Sequence, residues 1–198
     1  ATRELVELQY STYNRSLVPQ LEAKGIRIID AFEELTAEQQ EFVDKYFEET
    51  VYPVLTPMAV DASRPFPLIR NKTLNIAAFL LKKGEKKKEE NYEFATVQVP
   101  GVLPRIIPIP DGENHSFILL EQIIEKNMER LFLNYDVICA YPYRIMRNAD
   151  LTIDEDEAED LLQEIQKQLK KRQWGEIIRL EVEDKIDKKL LHFFKEEL

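Results

Sequence analysis

The sequence predicts an α+β fold, with a mixed, mainly antiparallel sheet, packed helices and an N-terminal helical segment. Three observations carry this expectation. Apolar residues recur at helical spacing through the first fifty residues, with recognisable start and stop signals. Alternating runs rich in β-branched and aromatic residues then gather at Leu74–Leu81, Tyr92–Val99, Val137–Met146 and Ile177–Glu183. These runs are not separated by the regular crossover helices that a parallel sheet needs. The boundaries expected are a helical segment over 1–50 and an α+β domain over 51–198.

The elements follow in order. Thr2 to Ala23 reads as one helix, with Leu5, Leu8, Leu17 and Leu21 near one face and Gly25 as its stop. Ile26–Ile29 is a short strand. Thr36-Ala37-Glu38-Gln39 is a capping box in which Gln39 reaches back to the cap. The helix it opens turns Phe42, Val43, Tyr46 and Phe47 inward, pairs Glu41 with Lys45 outside, and ends at Pro53.

Val51–Asn75 follows, holding Pro53, Pro57, Pro65 and Pro67 of the chain's ten prolines. Proline fixes φ, removes a donor and biases the preceding residue toward extended geometry. The segment is therefore expected to be ordered and extended, without a regular ladder. Leu74–Leu81 and Tyr92–Val99 form a hairpin whose charged tip is Lys82–Glu90. Val102–Ile109, interrupted by Pro104 and Pro108, is an edge or bulged strand, and Asp111-Gly112 is a turn. Leu120–Leu133 has helical spacing, and Val137–Met146 is a strand. Asp154–Arg172 is a helix with acids at its start and bases at its end, as the helix dipole favours. Ile177–Glu183 is a strand, and Asp184–Leu198 is a last helix that stacks Ile186, Leu190 and Phe194.

Composition narrows the function. The chain has 198 residues, 44% of them hydrophobic and 32% charged, with a formal net charge of −10. That acidity counts against a nucleic-acid binder, which would carry a basic footprint. No apolar run is long enough for a transmembrane helix. A single cysteine, Cys139, cannot close an internal disulfide and fits a reducing cytoplasm. The chain begins with Ala1 rather than Met, which suggests a piece of a longer protein.

Motifs for autonomous chemistry are missing from the sequence. Its five glycines are too scattered to build a phosphate-cradling loop or a dinucleotide turn. One cysteine and two distant histidines lack zinc-site spacing. His115 reads as a surface turn residue and His192 as a partly buried helix residue, rather than as bases or nucleophiles. The carboxylates of Asp154–Asp160 read as a solvated helix N-terminus rather than a cation cage, because no glycine supplies a sharp turn. No catalytic, metal or cofactor-binding residue is therefore assigned. Anion-contact candidates are Arg64, Arg70 and Lys72 in the proline segment and Arg144 and Arg147 on a strand that is ending, because guanidinium groups suit phosphate oxygens. Arg144 and Arg147 fall on opposite faces of that strand, and Arg147–Asp150 reads equally as an internal cluster of ion pairs and turn caps.

Four ordered motifs give the chain a family likeness. VYPVLTP, PFP, Asn71 and Leu74-Asn75 form the first, SFILLEQII at Ser116–Ile124 the second, YRIMRNADL at Tyr143–Leu151 the third, and RLEV at Arg179–Val182, after an acidic helix, the fourth. Together they resemble the head, or middle, domain of the long-chain polyphosphate kinases, over essentially the whole chain. Met146 stands where the family pattern has Thr, which removes a hydroxyl from that strand. The resemblance implies a parent phosphotransferase that moves the γ-phosphoryl of ATP onto polyphosphate through a phosphohistidine. It also implies ATP and Mg²⁺ as the parent's cofactors, a cytoplasmic homodimer, and catalytic C-terminal domains and a short N-terminal domain outside this chain. Neither His115 nor His192 lies in a motif matching the family's nucleophile. The fragment is then a structural, dimer-forming part, inactive alone, whose partners are the rest of the parent chain and, through it, polyphosphate. Peripheral membrane association of the parent stays open. So do two other readings: a polyanion-binding module built on the five basic candidates, and an acidic protein-interaction domain of an unrelated family.

Overall fold

The computed structural model describes residues 2–60, 66–148 and 175–198. They form two compact units. The first takes the chain up to Leu55 and again Pro100–Asn127, and the second takes Thr56–Val99 and Met128–Leu198.

In the first unit the expected N-terminal helix is three joined pieces: α1 (Thr2–Thr12), a π-helical turn (Tyr13–Leu17) and α2 (Val18–Glu22). Pro19 sits in the first turn of α2, where its missing N–H costs least. Leu5, Leu8 and Leu17 are exposed, so the leucine face seen in the sequence is not a buried one here. Gly25, at φ 76°, ends this helix in the left-handed conformation that glycine adopts without penalty.

Chain reversal at Gly25 starts β1 (Ile26–Ile29), which runs parallel to β6 (His115–Leu119). β6 also pairs antiparallel with β5 (Ile106–Ile109), giving a three-stranded sheet in the order β1-β6-β5. The residues around His115 thus form a strand rather than the expected turn. β5 lies at the sheet edge and contains Pro108, as the interrupted run predicted.

The capping box of α3 (Ala37–Tyr46) forms as read: Thr36 Oγ1 accepts from Gln39 N, and Gln39 Oε1 accepts from Thr36 N. Buried Gln39 also donates from Nε2 to Pro110 O at 2.7 Å, tying α3 to the residue after β5. Val43 and Phe47 are buried, whereas Phe42 is exposed and Lys45 pairs with Glu49 rather than Glu41. The helix does not stop sharply at Pro53. It loosens through a π turn (Phe47–Val51) and a 3₁₀ turn (Tyr52–Val54). The expected helix over Leu120–Leu133 is two, α4 (Leu120–Lys126) and α5 (Met128–Leu131), broken at Asn127 with φ −99° and ψ 13°.

The second unit is a five-stranded antiparallel sheet in the order β2-β4-β3-β7-β8. Its hairpin is as read, β3 (Leu74–Lys82) against β4 (Tyr92–Gln98). The proline segment is more regular than expected, because Pro57–Val60 forms β2 on the free edge of β4. An edge strand tolerates Pro57, since one side of its backbone needs no donor. β7 (Tyr135–Arg147) covers the other side of β3, and β8 (Ile177–Val182) closes the sheet beyond it. The last helix, α6 (Lys188–Glu197), is capped by Asp187 Oδ1, which accepts from Lys189 N and Leu190 N. The stretch read as the helix over Asp154–Arg172 lies outside the described residues.

α6 lays Leu190, Phe193 and Phe194 on one face of this sheet, against Ala77, Phe79, Phe94, Tyr143 and Ile145. Ring centroids there lie 4.7 Å apart for Tyr143–Phe194 and 4.8 Å for Phe94–Phe193. Beneath these rings the Tyr143 hydroxyl lies 2.8 Å from Thr96 Oγ1, with both residues buried. Two buried hydroxyls that satisfy each other cost little, but one left alone is expensive. Tyr143→Phe should therefore lower stability by about 1–2 kcal/mol, while adding Thr96→Val should recover most of it. Denaturant midpoints of the two singles and the double will show this. Burial also raises the Tyr143 phenol well above its ordinary value of 10.0. Its folded pKa exceeds its unfolded one, so its contribution is complete below pH 10 and is lost as pH rises through the raised value. Unfolding of Tyr143→Phe should lose that alkaline component.

Candidate functional site

Two of the basic candidates, Arg144 and Arg147, lie at the end of β7. Arg144 and Arg147 are three residues apart, which in an extended strand puts them on opposite faces. Arg144 stands opposite Glu181 in the β7–β8 register and donates from Nε to Glu181 Oε2 at 2.6 Å. Glu181 also receives Arg179 Nη2 on Oε1 at 3.1 Å. Arg144 is thus engaged in a cross-strand ion pair on the sheet surface.

Arg147 behaves differently. The register slips between Met146 and Arg147, so Arg147 stands opposite Ile177. Its guanidinium donates to two backbone carbonyls, from Nε to Ile69 O at 3.2 Å and from Nη1 to Gly175 O at 2.9 Å. Its own N–H donates to Asn71 Oδ1 at 3.0 Å. No carboxylate pairs with it among the described residues. Desolvation lowers its pKa.

Three segments converge to hold this arrangement. The 66–73 loop is pinned to β7 through Asn71 and through Lys72 N, which donates to Ile145 O at 2.9 Å. Lys72 takes φ 62°, an uncommon conformation for a side chain other than glycine. Thr73 Oγ1 donates to Arg70 O and Asn75 Nδ2 to Thr73 O, each at 2.9 Å, closing the turn into β3. On the other side Asn148 N donates to Glu176 O at 2.7 Å. A Cβ on Gly175 would lie 2.2 Å from Asn148 O, so only glycine lets the lead-in to β8 come this close.

Arg147 lines a cleft of about 510 Å³. Phe66, Pro67, Leu68 and Ile177 form its apolar wall, and the exposed Glu176 and Glu197 also border it. The remaining candidates spread out. Arg70 and Lys72 are exposed on the turn, and Arg64 lies outside the described residues.

The histidines stand apart from this region. His115 is exposed at the start of β6, where its N–H donates to Gly25 O at 2.8 Å. His192 is exposed on α6, not partly buried, with Nε2 3.3 Å from Glu196 Oε1. Burial raises the Cys139 thiol. Among the described residues no group of three or more His, Cys, Asp or Glu could hold a metal ion, and no helix is long and apolar enough to cross a membrane. The Asp154–Asp160 carboxylates lie outside the described residues.

One polar pair was not anticipated. Glu121, in the first turn of α4, is buried and takes both Nε and Nη2 of Arg105, with Nε–Oε1 at 2.9 Å. Arg105 O in turn accepts from Leu120 N at 2.8 Å. The available signal was Glu121 in an apolar run, where a buried acid must be paired.

The family model described as the polyphosphate kinase middle domain matches residues 38–198. The polyphosphate kinase of Bacillus anthracis is 46% identical over 197 residues, covering 98% of this chain and 28% of its own. That of Lactiplantibacillus plantarum is 49% identical over 185 residues, covering 93% of this chain and 25% of its own. The chain thus spans about a quarter of the length of these relatives. In fold it is similar to the crystal structure of polyphosphate kinase from Porphyromonas gingivalis, with a TM-score of 0.65 and 24% identity, over 84% of this chain and 27% of that one.

The Gly175 contact yields a test. Gly175→Ala should destabilise the protein by about 1–3 kcal/mol through forced separation of the two strand ends. Hydrogen exchange at the β7–β8 ladder should speed up, while Arg144→Ala, which removes a surface ion pair, should change stability by less than about 1 kcal/mol.

Proposed function

This chain belongs to the polyphosphate kinase family, as its middle domain, and we propose that it is a structural, dimer-forming part of an enzyme that transfers the γ-phosphoryl of ATP to polyphosphate. The transfer in this reading passes through a phosphohistidine outside the chain, in a cytoplasmic homodimer. The observation that carries it is one of coverage: nearly all of this chain aligns, but it aligns with about a quarter of each relative.

The side chains of the described residues fit a framework role. Arg144 is held by Glu181, Arg105 by Glu121, and His192 stands beside Glu196. Engaged groups of this kind fix strands and helices rather than meet a substrate. Mg²⁺ and ATP belong, in this reading, to other parts of the parent. No step of the reaction is assigned to this chain's residues. The second reading, a polyanion-binding module on Arg64, Arg70, Lys72, Arg144 and Arg147, finds support at Arg147, whose charge no described carboxylate neutralises.

Incubating the chain with γ-labelled ATP, Mg²⁺ and polyphosphate should give no turnover and no acid-labile phosphoenzyme. Label transfer to polyphosphate, or an acid-labile phosphoprotein, would refute the framework role.

A further inference from the structure

We propose that the cleft at the end of β7 is a binding site for a single phosphate group, with Arg147 as its anchor. A guanidinium that loses water on partial burial needs a countercharge, or its burial is unfavourable. Arg147 is partly buried, yet its partners among the described residues are two neutral carbonyls, Ile69 O and Gly175 O, and desolvation lowers its pKa. Those carbonyls fix Nε and Nη1 and leave the Nη2 amino group without a bond to any described residue. The result is a cation whose orientation is set before a ligand arrives, which reduces the ordering a ligand would otherwise impose.

The surroundings suit an oxyanion. Phe66, Pro67 and Ile177 supply an apolar wall, which strengthens an ionic hydrogen bond made beside it. Gly175 is required for the close approach to Asn148 O, and this approach carries Gly175 O to Arg147. The Nη2 amino group left over carries two N–H donors on a fixed cation, which suits a phosphate oxygen. Glu176 and Glu197 border the same cleft and oppose negative charge, so the site takes one phosphate group rather than a run of them. The geometry asks only for an oxyanion, and the choice of phosphate rests on the polyphosphate kinase reading above. Inorganic phosphate and the terminal group of a polyphosphate chain share the required chemistry.

Calorimetric titration of the 198-residue chain with inorganic phosphate, and separately with tripolyphosphate, tests the site. Inorganic phosphate should bind in the millimolar range, and Arg147→Lys, which keeps charge but loses the preset Nη2 donor, should weaken it about tenfold. Because Arg147 also ties two carbonyls, the deciding variant is Glu176→Gln with Glu197→Gln, which leaves those bonds intact. Removing both charges should tighten phosphate binding about four- to ninefold at low salt, at roughly two- to threefold per charge. Undetectable phosphate binding, or equal affinity in the chain and the double glutamine variant, overturns the site. Binding of inorganic phosphate without tripolyphosphate upholds the oxyanion site and overturns its link to polyphosphate.

Discussion

In β3 every residue from Asn75 to Leu81 is buried, so both faces and both edges of one strand must be covered at once. A strand of that kind cannot lie at the margin of a sheet, where one backbone edge and usually one face meet water. Its position between β4 and β7 follows, and the rest of the second unit is arranged to meet the requirement. The hairpin supplies β4 locally. β7 must come from more than fifty residues further on, and it needs thirteen residues because it serves β3 along its length and β8 at its far end. α6 then covers one face with three apolar side chains. A one-residue slip of β3 or β7 in the ladder would turn Phe79 or Tyr143 to the wrong side.

What the sequence made legible was whatever is decided locally. The Thr36–Gln39 box, the left-handed stop at Gly25, and the hairpin of β3 and β4 are all written within a few residues of where they act. β2 escaped notice because its partner is some forty residues away, and because Pro57 reads as a breaker until an edge position makes it harmless. β6 escaped for another reason. His115–Leu119 runs directly into the apolar start of α4, and periodicity cannot divide so short a strand from the helix that follows. The break at Asn127 was hidden by helical spacing that continues on both sides of it.

The candidate site divides along the same line. Arg144 and its acidic partner could be anticipated from alternation on two neighbouring strands. Arg147 could not, because its partners are backbone carbonyls 78 and 28 positions away, and a carbonyl has no signature in the sequence. Glu121 lay within a quoted motif, but what it does depends on Arg105 in a stretch with no periodicity. The chemical character of each residue was visible, and its employment was set by tertiary placement.

The proline at the edge of the smaller sheet has a consequence beyond shape. β5 presents Pro108 in a strand only four residues long, with Ile106 exposed beside it. An open strand edge ordinarily offers a row of donors and acceptors onto which another polypeptide can add. Here that row is short and lacks a donor in its middle. A stray strand from a second molecule would find no continuous ladder to extend, so an apolar margin stays in water without seeding aggregation.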